Sequence, residues 1–180
     1  MDCVIRPYED ADRDAVDRIA LAAFSVYARH YADWPGFSAR IARTSGLAGQ
    51  ADLLVAETGG RVAGAVVHVA PGRPRSPIFP DDWSVMRMLV VDPACRGQGV
   101  GRLLVAGFLR HAIRAGAPMA GLHTSPMMAS ALRLYTTLGF TRDRDLDPID
   151  GVSYGRYVLP AERLQAALDC LSAWPPQIKA

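Results

Sequence analysis

Apolar positions along the chain alternate between two periods. Residues 3–6 lead as a short strand. From residue 10 to about 29 the spacing becomes helical: Val16, Ile19, Ala20, Ala23 and Phe24 share one face, and Asp10, Asp12 and Asp14 suit the positive N-terminal end. Trp34-Pro35-Gly36 reads as a break, with a weaker helix over 38–44. Runs at 53–58 and 61–70 predict strands joined by Gly59-Gly60, a hairpin pair in which both positions tolerate positive φ. Pro71, Pro74, Pro77 and Pro80 then impose an irregular loop ending at Asp81-Asp82, because proline donates no backbone hydrogen bond and fixes φ. The run 83–91 is apolar on both faces near its end, which predicts a central strand. A helix over 98–115 buries Val100, Leu103, Leu104, Gly107 and Phe108. A strand at 119–124 follows, then a helix at 126–138 with Ala131, Leu134, Tyr135 and Leu138 on one face. Strands from 140 and over 154–159 flank a turn around Asp150-Gly151. Pro160 opens a last helix striped by Leu164, Ala167, Leu168 and Leu171.

This order, β-α-α-β-β-β-α-β-α-β-β-α, predicts a mixed α/β fold. The middle strand–helix–strand unit should be a right-handed parallel crossover. The hairpin-length connections make the other pairings largely antiparallel. The expected architecture is a single domain with a mixed, mostly antiparallel sheet of about seven strands and helices on both faces. Residues 1–159 would form the domain, with 160–180 as a helix and tail packed on it. A chain of 180 residues, half of them hydrophobic, can build such a core without staples.

Composition narrows the function classes. Twenty Lys+Arg oppose eighteen Asp+Glu, a formal net charge of +2, and no basic stripe marks a nucleic-acid binder. Lys179 is the sole lysine; the other basic residues are arginines, which favour planar contacts with carboxylates and phosphates. Cys3, Cys95 and Cys170 are odd in number and match no metal spacing, so neither a disulfide framework nor a metal site is expected. No histidine stands near Cys95 to activate it. The start of the chain is unlike a secretion signal, and the longest apolar stretch, 62–69, is too short to span a bilayer. A reducing cytoplasm is the expected compartment.

The chemistry is concentrated after the central strand, in Val90-Val91-Asp92-Pro93-Ala94-Cys95-Arg96-Gly97-Gln98-Gly99-Val100-Gly101-Arg102. A strand stops at Pro93 and a glycine-rich loop opens into a helix. Amides at a helix start lack internal partners, the helix dipole adds positive character there, and glycines admit a ligand close to the backbone. Together these describe a phosphate site. Arg96 and Arg102 can add charge-assisted contacts. The dinucleotide fingerprint fails at its third glycine, where Arg102 stands, and a P-loop lacks its lysine.

The segment at 96–101, R-G-Q-G-V-G, resembles the R/Q-x-x-G-x-G/A pattern of the GNAT acetyltransferase superfamily. A second segment, Ala131 to Phe140, is similar to the family's A-x-x-L-Y-x-x-x-G-F. The resemblance covers most of the chain, because the element order matches too. It implies acetyl-CoA as co-substrate, with Leu89, Val90 and Val91 pairing to the pantetheine arm. Arg96, Gly97, Gln98, Gly99, Val100, Gly101 and Arg102 would cradle the pyrophosphate. It implies Tyr135 as the general acid that protonates the leaving thiolate. It further implies an amine acceptor on a small molecule or peptide, attacked directly in a ternary complex, and dimers are common in the family.

Two family positions differ. The asparagine before the second motif is Met128, and the glutamate that serves many members as general base is Val85. Glu57, His68, Asp81, Asp82 and His123, or a water chain, are the replacements in reach, and the sequence assigns none of them. Thr124 and Ser125 stand where a strand end would meet the pantetheine or acyl group. The acceptor pocket is expected between the first two helices and the late hairpin, where Phe24, Tyr27, Tyr31, Trp34 and Phe37 form an aromatic stretch. The missing glutamate keeps a second reading open, a non-catalytic acyl-CoA-binding or regulatory module on the same fold.

Overall fold

A computed structural model of the chain describes residues 3–173. Its elements are β1 (Cys3–Pro7), α1 (Arg13–Ser25), α2 (Trp34–Ile41), β2 (Asp52–Thr58), β3 (Arg61–Val69), β4 (Ser84–Val91), α3 (Val100–Arg114), β5 (Met119–Thr124), α4 (Ala129–Thr137), β6 (Thr141–Ile149), β7 (Val152–Pro160) and α5 (Ala161–Ser172). The seven strands form one sheet in the order β1-β2-β3-β4-β5-β7-β6. The β4–β5 pair is parallel and the other five are antiparallel. This is the expected mixed sheet, with α3 as the crossover.

Several boundaries differ from the sequence expectation, each for a local reason. The first helix stops at Ser25 rather than near 29, and a single 3-10 turn covers Ala28–His30. The supposed break at Trp34-Pro35-Gly36 is instead the first turn of α2. Asp33 caps it by accepting from the Gly36 amide at 2.9 Å, and proline is at home where a helix has no N–H to pair. Helix α3 begins at Val100 rather than 98, because Gly97 and Gly99 take φ of 75° and 85°, outside helical space. Helix α4 begins at Ala129, three residues after Pro126. The expected tail beyond 173 lies outside the described residues.

The helices divide between the faces of the sheet. On one face Leu104, Val105, Phe108 and Leu109 of α3 pack with Leu54, Val66 and Leu122 of the sheet, with Tyr135 of α4 and with Leu164, Ala167 and Leu171 of α5. On the other, Val16, Ile19 and Ala20 of α1 and Phe37 and Ile41 of α2 cover Val55, Val67, Val85 and Val90. Leu104 and Phe108 are fully buried, and each such side chain stabilises the fold by roughly 1.5–3 kcal/mol through area removed from water. Among the described residues no helix is long and apolar enough to cross a membrane.

The proline loop between β3 and β4 is held by arginines rather than by a ladder. Arg75 donates to the carbonyls of Ala70, Arg73, Pro80 and Trp83. Arg156 of β7 donates to the Ile78 carbonyl, pairs with Asp143 and stacks over Trp83 at 4.9 Å from the ring centroid.

Candidate active site

Two irregularities open the centre of the sheet. The first lies in β4. Val67 of β3 faces Arg87 and Ala65 faces Val90, so two steps of β3 span three of β4. The extra residue is a β-bulge, and Met88 adopts φ of 51°, a left-handed conformation costly for a side chain of its size. The second lies at the parallel pair. Strands β4 and β5 pair at Ser84–Ala120 and Val85–Gly121 and no further. Beyond Val85 the β5-facing edge of β4 is therefore free of sheet pairing.

A cleft of about 410 Å³ occupies this wedge. From the sheet it is lined by Met86, Arg87, Met88, Leu89, Leu122, His123 and Thr124, and from α4 and its N-cap by Met128, Ala131 and Tyr135. Phe24 and Phe37 come from the first two helices, and Ile149 and Tyr154 from the late hairpin, whereas Tyr27, Tyr31 and Trp34 of the aromatic stretch are not part of the lining. Arg40 and Arg43 also contribute, whereas no Asp or Glu does.

Tyr135 stands on the α3 face of the wedge, 5% exposed, its ring edge-on to Phe140 at 6.0 Å. Burial raises its pKa, which keeps the phenol protonated. Arg87 and His123 belong to the opposite face. Val85, Met88 and Val90 pack against α1 and α2, and strand alternation puts Arg87 with them. His123 packs at 5.5 Å from Tyr154 and 6.1 Å from Phe79, both members of that same cluster. Its pKa falls to about 4, first because burial penalises the charged form and second because Arg87 repels it. The imidazole is thus neutral, and its buried Nδ1 has no hydrogen-bond partner among the described residues. Burial also lowers the Arg87 pKa, with no carboxylate opposing it.

Of the expected cofactor residues, Leu89 lines the cleft, Val90 is 1% exposed against α1, and Val91 ends β4. The loop from Arg96 to Arg102 lies outside the cleft lining, at the start of α3. No side chain caps α3 there, and a Cβ built on Gly99 would meet nothing within 4 Å, so the loop backbone is open to an approaching group. Gln98 donates to the Ala94 carbonyl at 3.1 Å and Arg96 to the Ala23 carbonyl at 3.3 Å, which ties the loop to the end of α1. Val100 faces inward as a core residue and is 1% exposed. Met128 serves as the α4 N-cap residue and accepts at its sulfur from Thr124 Oγ1 at 3.8 Å, while Ser125 is buried beside it.

Among the candidate bases, His123 alone lines the cleft. Glu57 pairs with Arg6 at 2.7 Å near the far edge of the sheet. His68 is locked between Asp52 Oδ2 (2.8 Å) and Ser84 Oγ (3.0 Å). The Asp81 side chain is 95% exposed and Asp82 is exposed as well. Val85, where the family's glutamate would stand, is fully buried. Sequence reasoning passed over Arg87, although a lone charge between two methionines in an apolar central strand was a readable signal.

Comparison with known proteins agrees with this architecture. The profile of the acetyltransferase (GNAT) family matches residues 14–140. A mycothiol acetyltransferase from Thermomonospora curvata is 36% identical over 92 residues, which is 51% of this chain but only 28% of that longer protein. Among solved structures, yncA from Salmonella typhimurium, determined with its cofactor acetyl-CoA, superposes with a TM-score of 0.64 at 23% identity, covering 88% of this chain and 94% of that one. The ribosomal-protein-S18-alanine N-acetyltransferase of Escherichia coli gives 0.62 at 18% identity, covering 89% and 94%. At these identities the superpositions speak for the fold, while the profile spans more than half of the chain. The chain belongs to the acetyltransferase (GNAT) family.

Proposed function

We propose that this protein is an acetyl-CoA-dependent N-acetyltransferase that moves an acetyl group to the amine of a small molecule or peptide. The observation that carries the reading is the position of Tyr135, buried and protonated at the wedge where β4 leaves β5. The unpaired β4 edge at Leu89 to Val91 suits an extended amide-bearing arm, which would add to the sheet as a further strand. The open amides from Gly97 to Gly101, at the positive end of α3, suit a pyrophosphate, with Arg96 and Arg102 beside them.

The chemistry follows from what each face supplies. The acceptor nitrogen attacks the thioester carbonyl, forming the C–N bond. Collapse of the tetrahedral adduct breaks the C–S bond. Tyr135 gives its proton to the departing thiolate, and the proton lost by the amine goes to neutral His123, the one candidate base in the cleft wall. Holding both reactants in one wedge supplies much of the acceleration.

The test is release of free CoA thiol from acetyl-CoA with a panel of amines, beside direct measurement of acetyl-CoA binding by calorimetry. Amine-dependent release supports the reading. Binding without release for any amine favours the non-catalytic module, and absence of binding removes the assignment of residues 96–102.

A further inference from the structure

The arginines of this fold that lie within its surface find partners, with one exception. Arg6 pairs with Asp12 and Glu57, both at 2.7 Å. Arg75 is satisfied by main-chain carbonyls and Arg156 by Asp143 and the Ile78 carbonyl. Arg87 has no hydrogen bond and no ion pair among the described residues, although it sits partly buried in the cleft wall. Its nitrogens are not among the buried atoms left without a partner, so the guanidinium reaches the open cleft with its five donors available to a ligand. No carboxylate lines the cleft to occupy them. The remaining charges there have the same sign: Arg43, and Arg40, whose guanidinium is shared with Asp150 at 2.7 Å.

Resting on the acetyltransferase reading, we infer that the acceptor is an amine bearing an anionic group, of the amino-acid class, with its carboxylate seated on Arg87. Three relationships lead there. Arg87 lies on the α1/α2 face of the sheet, opposite Tyr135 and on the side where α1, α2 and the late hairpin wall the cleft, so its anion is assigned to the acceptor. The fork of a guanidinium matches a carboxylate in two parallel hydrogen bonds. A polyamine or other multiply cationic acceptor would meet arginines and find no counter-ion.

The same placement gives the amine its neighbour. His123 lies close enough to Arg87 to feel its charge. A carboxylate on Arg87 offsets that repulsion, the lesser of the two causes that depress the imidazole, while burial, the larger, remains. The bound acceptor thereby shifts His123 part of the way towards a better proton acceptor.

The experiment compares free amino acids with their α-carboxamides in the thiol-release assay, using wild type, Arg87→Gln and Arg87→Lys, with acetyl-CoA binding measured separately. The carboxamides have the more readily deprotonated amine, so a preference for the free acids cannot come from amine basicity. Wild type is expected to favour the free acids in kcat/KM by roughly 10–100-fold, the value of a charge-assisted hydrogen-bonded pair. Arg87→Gln is expected to erase that preference through a raised acceptor KM, and Arg87→Lys to restore part of it. The inference is overturned if carboxamides react as well as free acids, if Arg87→Gln keeps the preference, or if acetyl-CoA binds while the free acids release no more thiol than the carboxamides. Failure of acetyl-CoA to bind would instead remove the acetyltransferase reading on which the inference rests.

Discussion

Val85 of β4 faces Gly121 of β5 across the last pair of the parallel ladder, and the cleft begins where they part. Gly121 is held to glycine by what lies above it: a Cβ there would stand 3.0 Å from both Phe79 and Trp83. Those rings close the proline loop over the sheet, with Arg156 stacked on Trp83. Gly121→Ala should therefore overpack the site and destabilise the protein by about 1–3 kcal/mol. Thermal unfolding would read this as a drop of roughly 2–4 °C per kcal/mol for a domain of this size. An unchanged midpoint would mean that the loop yields freely.

Tyr31 and Tyr154 share a buried hydrogen bond of 2.6 Å between their hydroxyls, joining the segment before α2 to β7 across the acceptor side of the cleft. Tyr31 also stacks on Phe37 at 4.0 Å, so its ring has a second reason to stay in place. Changing either tyrosine to Phe should cost about 1 kcal/mol, and the double change should cost less than the sum of the two. A denaturant-unfolding cycle measures this coupling, and strict additivity would show that the two hydroxyls act independently.

Gly99 separates strain from binding. Its φ of 85° is expensive for any L side chain, yet the space around it is open. Gly99→Ala should lower stability by about 1–2 kcal/mol through the backbone alone. If the loop amides cradle a pyrophosphate, the KM for acetyl-CoA should rise as well, with the acceptor KM less affected. A stability loss without weaker acetyl-CoA binding would place the cradle elsewhere.

His123 predicts a pH dependence. Its folded pKa of about 4 lies below the usual 6.5. Between those values the unfolded chain binds a proton that the folded protein refuses. This contribution to stability is full above pH 6.5 and declines as pH falls through the window towards 4. The whole effect is on the order of 3 kcal/mol. His123→Gln should flatten the stability profile in that interval, as read by urea unfolding between pH 4 and 7. It should also remove the acid limb of kcat/KM, which in wild type is expected near the depressed value.

Much of the architecture could be read from the sequence because periodicity and turn chemistry agreed. The Gly59-Gly60 hairpin, the continuous apolar runs of β2 and β3, and the stripe of Leu104 and Phe108 on α3 each point to one type of element. Boundaries were harder where one residue type has two meanings. Pro35 terminates helices in general but here sits in the first turn of α2, and only Asp33 beside it reveals the difference. Two separate motifs made Tyr135 and residues 96–102 legible as candidates. The wedge was not, because it depends on a bulge at Met88 and on where a parallel ladder stops, neither of which leaves a periodic trace. Nor could the sequence choose among five candidate bases, since the choice rests on which side chains the separated strands expose.

The measurement that bears most directly on the central claim is acetyl-CoA turnover in wild type and Tyr135→Phe, followed as free CoA thiol with a reactive amino acid as acceptor. The phenylalanine keeps the ring against Phe140 and removes only the proton to be donated. The expected result is a fall in kcat of about 10²-fold or more with acetyl-CoA still bound. A variant that turns over like wild type would contradict the account, because the buried phenol would then be a packing residue and the proton for the thiolate would come from another source.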